Sequence, residues 1–420
     1  MISCWRIFLL EWKSLVRSRT LIALMALAVG WVLLSPAVFV GDGTLAGDRE
    51  VVMRYALGGV MAMVTLALMA TAAGSLARDR ATRRLALTLV RPVRYPVVAL
   101  ARMAALTAAG ALVLLAAGAV TLLREEGAFS RPCRHVLKPR LPSPRAEAEA
   151  VYREFLADPR TPPAVRKLPK ATAIRILAQR ALDHYQTLAT NLPATLDFEL
   201  PAGCVSPSVR LRFSNSFNMR DEVVADLALG PWAAAVSNVT QAVIELPLTA
   251  DAAKPPAVGV TPLTLVNRGR RNLMLRPRRD VEVLYAADSF AANLLRTLLE
   301  LTALIALTVA LGVFLGAALS RPVALFVAVA VLVMGEVSPS IIDQYPDSLD
   351  TGRADRLALY LTRFAAEATH PLTAVDPVSA LSRDECVEWR TLARTAAVDA
   401  VVLPLALSVL AALVMARKRE

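Results

Sequence analysis

Six charged side chains lie inside or beside long apolar runs of this 420-residue chain, and they are the first candidates for chemistry: Arg54, Arg102, Arg296, Glu300, Glu336 and Asp399. Arg296 and Glu300 are four residues apart. On a helix that spacing puts both on one face, where a guanidinium neutralises a carboxylate at reduced desolvation cost. An ion pair at an interface or between helices is a plainer use of them than substrate binding. Arg54 and Asp399, each near the end of a run, can neutralise one another. Arg102 sits about one turn inside its run and can snorkel to the membrane surface. Glu336 is unpaired, and an unpaired carboxylate in apolar surroundings is a candidate functional residue, unless the run simply ends there.

No residue set points to catalysis. His135, His184 and His370 are far apart, without the carboxylate or cysteine spacing of a zinc site, so neither a metal ligand nor a catalytic residue is assigned. Cys133 and Cys204 share one polar region and can form a disulfide there, although single buried thiols suit them as well. Cys4 and Cys386 lie elsewhere. Asn238-Val-Thr matches a glycosylation triplet of the kind that also arises by chance. No Gly-x-x-x-x-Gly-Lys-Ser/Thr loop occurs, so the chain has no ordinary means of cradling nucleotide phosphates and binds no cofactor of its own by this reading.

The setting of these residues is apolar. Hydrophobic residues make up 56% of the chain, and mean hydropathy is +0.50, above the usual balance of a soluble domain. Four stretches lack Asp, Glu, Lys and Arg altogether: Leu21 to Val40, Tyr55 to Ala77, Met103 to Leu123 and Leu301 to Ser320. Each reaches the roughly 20 residues that cross a hydrocarbon core as a helix. Pro322 to Ile342, carrying Glu336, and Thr395 to Ala416, carrying Asp399 and Pro404, complete six expected spans. The first run is too long for the apolar core of a secretion signal and reads as a retained helix.

Charge sets the expected orientation. Basic residues concentrate in short connectors on the cytoplasmic side of a membrane. The stretch Arg78 to Pro96, RDRATRRLALTLVRPVRYP, holds six arginines and one acid between two spans. With the N-terminus inside, the inner segments hold Arg6, Lys13, Arg17 and Arg19, those six arginines, Arg321 and three basic residues at the end. The short outer connector Gly41 to Glu50 has Arg49 alone. Both termini are then cytoplasmic, in keeping with an even number of spans. The net charge of +12 lies largely beside spans, where topology and anionic headgroups account for it, and argues against nucleic acid as a partner.

The expected fold class is therefore an α-helical polytopic membrane protein of six spans with an inserted extracytoplasmic α+β domain of β-sandwich type. Residues 1–123 form the N-terminal membrane half, 124–288 the inserted domain and 289–420 the C-terminal membrane half. Within the domain, RAEAEAVYREFLAD and ATAIRILAQRALDHYQTL read as helices, the second with Ile174, Leu177, Ala178 and Ala181 on one face. ATLDFEL, SVRLRFSNS, QAVIELPL, TPLTLVNRG and DVEVLYA alternate like strands of an antiparallel sandwich. Residues 354–369, ADRLALYLTRFAAEAT, read as an amphipathic helix at the outer interface or on the outer domain.

The order of these parts resembles the membrane subunit of type-2 ABC transporters. Three stretches carry the resemblance: WRIFLLEWKSLVRSRTLIALMALAVGWVLL, a basic amphipathic lead-in to the first span; LARDRATRRLALTLVRPVRYPVVALAR, like that family's inner loop between spans two and three; and HPLTAVDPVSALSRDECVEWRTL before the last span. Asp79 stands where Glu is commoner, and the insertion after span three replaces a short turn. The resemblance implies a permease of the bacterial inner membrane, an export function, a separate ATPase chain that hydrolyses ATP, and a second permease chain, identical or related. It also implies that residues 78–95 dock on the ATPase. There Leu85 and Leu89 share a helical face, while Arg83, Arg84 and Arg91 are the basic residues placed to pair with acidic groups around a docking cleft. Pro92 and Pro96 end that element. The alternative from another class is a membrane-anchored receptor or assembly scaffold whose outer domain binds an envelope component without transport.

Overall fold

A computed structural model describes residues 2–41, 45–81, 95–125, 127–157, 170–182, 186–202, 204, 206–214, 221–240, 242–250, 259–344 and 376–417. The chain divides into two compact units, Met1–Arg131 with Ser289–Glu420, and Pro132–Asp288.

The first unit is helical. Helix α1 (Ile2–Arg17) is amphipathic: Trp12 and Leu15 pack on the unit's core, while Trp5 and Leu10 are exposed. The Ser18 side chain accepts a hydrogen bond from Leu21 N and caps α2 (Arg19–Val38). Then come α3 (Leu45–Ala81), α4 (Tyr95–Arg124), and, after the second unit, α7 (Phe290–Ala318) and α8 (Arg321–Gln344). A short α9 (Pro377–Ser382), capped by Asp376, leads to α10 (Trp389–Ala397), a π-helical turn (Val398–Val402) and α11 (Leu403–Arg417).

Among the described residues five helical stretches are long and apolar enough to cross a membrane: Arg19–Val38, Gly47–Ser75, Tyr95–Arg124, Phe290–Ala318 and Trp389–Arg417. The chain is a membrane protein by that measure, and these five stretches match five of the six expected spans. The helix expected to supply the sixth, α8, runs for 24 residues, and among the described residues its apolar stretch covers Arg321–Met334. Residues 354–369 lie outside the described residues.

Helix α7 is the centre of this unit. In its most apolar window 78% of residues are buried, against 22% in α2. Helices in an apolar medium associate through close packing and small residues, since lipid tails compete for greasy surface. Gly312 and Gly316 provide this on α7. A Cβ at Gly312 would lie 2.9 Å from the Met69 carbonyl oxygen, and one at Gly316 would lie 2.5 Å from that of Ala73. The two backbones therefore approach as only glycine permits. Helix α2 contains Pro36, which has no N–H to donate to Val32 four residues back. The freed Val32 carbonyl instead accepts from Arg124 Nη1 at 2.6 Å and from the Ser35 hydroxyl at 3.0 Å.

The second unit is built on two antiparallel sheets around one core, with two helices, α5 (Pro144–Ala157) and α6 (Lys170–Leu182), packed on each other. Its strands are β1 (Pro132–Leu137), β2 (Gln186–Leu188), β3 (Pro193–Leu200), β4 (Ser208–Arg212), β5 (Glu222–Leu229), β6 (Trp232–Val239), β7 (Val243–Pro247), β8 (Thr249–Ala250), β9 (Gly259–Asn267), β10 (Leu273–Leu275) and β11 (Val281–Ser289). The larger sheet has the order β3-β9-β5-β6-β8, the second β1-β11-β4-β7, and β10 pairs with β2. Inward residues of both large sheets, among them Phe198, Leu227 and Leu263 on one and Leu211, Ile244 and Val283 on the other, share a single cluster. All five segments that alternate in the sequence form strands. The β5–β6 hairpin is an addition: its inward positions are Val223, Ala225, Leu227 and Leu229 on β5 and Trp232 and Val236 on β6, and the alanines between them weaken its β signal. Gly230, at φ +57°, opens its two-residue Gly-Pro turn. The second expected helix ends early, at Leu182, because Gln186–Leu188 pairs with Leu273–Leu275.

Cys204 is a free, buried thiol in this core, so the Cys133–Cys204 disulfide is not formed; Cys133 is disulfide-bonded. Burial pushes the Cys204 thiol above its ordinary titration range. Alkylation of the folded protein at mildly alkaline pH should leave Cys204 unmodified, and mass spectrometry should find it modified once the chain is denatured. Gly316→Ala should cost about 1–3 kcal/mol, read as a lower thermal midpoint of the detergent-solubilised protein.

Candidate functional site

Three layers of charge run through the helical unit. At one end, Arg102 near the start of α4 is only 8% exposed and meets two carboxylates from different helices. Its Nη2 donates to Glu11 Oε1 of α1 at 2.6 Å and to Asp79 Oδ2 of α3 at 2.7 Å, and its Nε donates to Glu11 at 3.1 Å. The expected snorkelling of Arg102 to the surface gives way to this clamp, since a desolvated guanidinium gains more from two carboxylates than from a partial return to water. The clamp was overlooked in the sequence, but a signal exists: Glu11 is the sole acid before Asp42, and Asp79 the sole acid between Glu50 and Glu125. Along α1, Trp5, Phe8 and Trp12 stack in series, with ring centroids 5.2 and 6.3 Å apart.

Asp79 and Arg102 flank the basic stretch between α3 and α4. Arg83, Arg84, Leu85, Leu89 and Arg91 lie outside the described residues. What is described is the anchoring on either side: the end of α3 and the beginning of α4 are joined by one ion pair, and α1 by another.

At the opposite end, where the chain leaves α4 and enters α7, a second set of ion pairs ties four segments. Glu125 Oε2 receives Arg49 Nε and Arg131 Nη1, each at 3.1 Å. Arg131 also pairs with Asp384 and lies over the Phe290 ring, 5.2 Å from its centroid. Arg383 Nε reaches Glu50 at 3.3 Å. Beneath this, buried Asn293 of α7 donates to the Glu385 carbonyl and accepts from Val387 N, both at 2.8 Å, fastening the segment before α10. Cys386, in that segment, is disulfide-bonded. A cavity of about 340 Å³ lies between α2, α3 and α4, with Val32, Phe39 and Met53 on its walls and Arg49, Arg124 and Glu125 among its polar groups.

The third layer lies within α7 and the segment against it. Arg296 does not turn to Glu300 as expected. Its guanidinium lies 4.6 Å from the centroid of the Trp389 ring, with Nη1 3.5 Å from the Val387 carbonyl. A cation over an indole face is stabilised by the ring's quadrupole. Glu300 takes its hydrogen bond from Thr395 Oγ1 at 3.2 Å instead, and its Oε2 has no partner. Asp399 is buried on the π-helical turn, whose wider spacing brings Leu403 N to the Val398 carbonyl just before Pro404, a residue unable to donate. Arg54 is exposed on α3, and among the described residues no ion pair joins it to Asp399. Glu336 belongs to α8, but its side chain lies outside what is described. Among the described residues no group of three His, Cys, Asp or Glu could hold a metal ion.

Breaking the clamp makes the sharpest test of this arrangement. Arg102→Met strands two carboxylates and should destabilise the solubilised protein by about 3–5 kcal/mol; adding Glu11→Gln and Asp79→Asn should recover most of the lost thermal midpoint. A loss that the added substitutions do not recover would assign Arg102 a packing role alone.

No family model matches the chain, and comparisons with curated proteins and with solved structures find no match either.

Proposed function

We propose that this chain is the permease subunit of an ATP-driven transporter of the type-2 ABC class, moving a substrate across a membrane with work supplied by a separate ATPase chain. The observation that carries the reading is the Arg102 clamp. An ATPase that stays in the cytoplasm can move a permease only if the surface it pushes is rigidly joined to the spans. Glu11, Asp79 and Arg102 join the lead-in helix and both flanks of the basic loop, so a force on residues 82–94 passes into α1, α3 and α4 together.

On this reading the basic loop and both termini are cytoplasmic, α8 crosses as the sixth span, and residues 132–288 form an extracytoplasmic sandwich. The length of α8, 24 residues, is about 36 Å of helix, enough to cross. The disulfide-bonded states of Cys133 and Cys386 favour an oxidising compartment at the end opposite the basic loop. The membrane is the bacterial inner membrane, two permease chains assemble per transporter, and export is the favoured direction, all three from the resemblance in the basic loop, the lead-in helix and the segment before the last span.

Replacing Leu85 and Leu89 together with Asp tests the assignment. Co-purification of an ATPase with the full-length chain should be abolished, while membrane insertion, read by fractionation, stays intact. Unchanged co-purification would reject docking at this loop, and purified protein that brings down no ATPase would support the receptor or scaffold alternative.

A further inference from the structure

The carboxylate of Glu300 is the buried titratable group that the proposed function leaves unused. It is 0% exposed, in the most buried of the five apolar helical stretches among the described residues. One oxygen has a single donor, Thr395, and the other has none. One turn earlier on the same face, the Thr297 hydroxyl is also fully buried and without a partner. A second carboxylate, Asp399, stands 6% exposed on the π-helical turn, which packs against α7.

Among the described residues no counter-charge faces Glu300. On α7 itself Arg296 is directed over Trp389. On α10 Arg390 and Arg394 are both exposed, on the side away from the buried positions Leu392 and Thr395. Helix α3 carries no charged residue between Arg54 and Arg78, α4 none between Arg102 and Arg124, and α11 none before Arg417; α9 has none, and the charged residues of α8 are Arg321, Glu336 and Asp343. A carboxylate anion with one hydroxyl donor in an apolar layer is strongly disfavoured, and two neighbouring carboxylates resist double ionisation further.

We infer that Glu300, with Asp399 as its partner carboxylate, forms a buried proton-binding site between α7 and the α10–α11 segment, occupied by one proton on Glu300 in the folded protein at neutral pH. The proton removes the uncompensated charge and gives Oε2 a hydrogen to donate, with the Thr297 hydroxyl an open acceptor on the same helix face. The ligand is a proton rather than a metal cation, because among the described residues no metal-binding group of acids gathers there.

Two measurements on the purified full-length chain test the site. Infrared difference spectroscopy at neutral pH should show the carbonyl band of a protonated carboxylic acid that vanishes in Glu300→Gln and persists in Asp399→Asn; glutamine keeps the acceptor for Thr395, so the variant should fold. Dicyclohexylcarbodiimide, an apolar reagent for protonated carboxyls, should label Glu300 in peptide mapping, with the rate falling about tenfold per pH unit once the site titrates. Absence of the acid band in the parent protein, or its loss only in Asp399→Asn, overturns the assignment. So does labelling that sodium blocks at constant pH, which would make the ligand a metal cation. Neither measurement requires an ATPase, so the result stands apart from the fate of the permease reading.

Discussion

A charge placed among apolar helices cannot borrow water, so its stabilisation has to come from another group of the same protein. That constraint organises the helical unit. Arg102 resolves it with two carboxylates, Arg131 with Glu125, Asp384 and an aromatic face, and Arg296 with an indole ring. The Val32 carbonyl, orphaned by Pro36, resolves it with a guanidinium borrowed from α4. Each solution joins segments distant in sequence, so neutralising charge and assembling the bundle become one event. Glu300 departs from this pattern, and that departure singles it out.

The central helix meets the same constraint for its backbone. Beyond its first turn, where Phe290 N and Ala291 N reach the Arg131 and Ala128 carbonyls, the main chain of α7 is bonded internally, and Gly312 and Gly316 let it approach α3 closely enough for dispersion to count. Its polar residues, Asn293, Arg296 and Glu300, then follow one another along the helix and face the segment from Glu385 to Asp399. The part of that segment before α10 is not helical, and the Asn293 side chain of α7 fastens it through the Glu385 carbonyl and Val387 N.

The second unit obeys the opposite rule. In water, exposed polar backbone is cheap and apolar side chains are not, so its core comes from alternation: one face of each strand inward, the other solvated. Asn267 is the polar exception. Fully buried at the end of β9, it donates to the Leu188 and Arg271 carbonyls and accepts from Gly269 N, and so holds the loop after β9 against the β2 strand.

By itself the amino-acid sequence determined what depends on composition and local period. Runs free of charge announced the apolar helices, and strict alternation announced five strands, because burial of one face imposes its period on the residues that form it. Where a partner distant in sequence decides, the local signal fails. The Ala-rich β5–β6 hairpin is a strand pair because β9 lies beside it, and residues 186–188 leave their helical pattern because β10 pairs with them. The charged residues divide in the same way. That Arg102, Arg296, Glu300 and Asp399 sit in apolar surroundings is written in their neighbours along the chain. Which group each one meets was settled only in three dimensions, because residues as far as 91 and 95 positions apart come together through packing, and packing has no period to read.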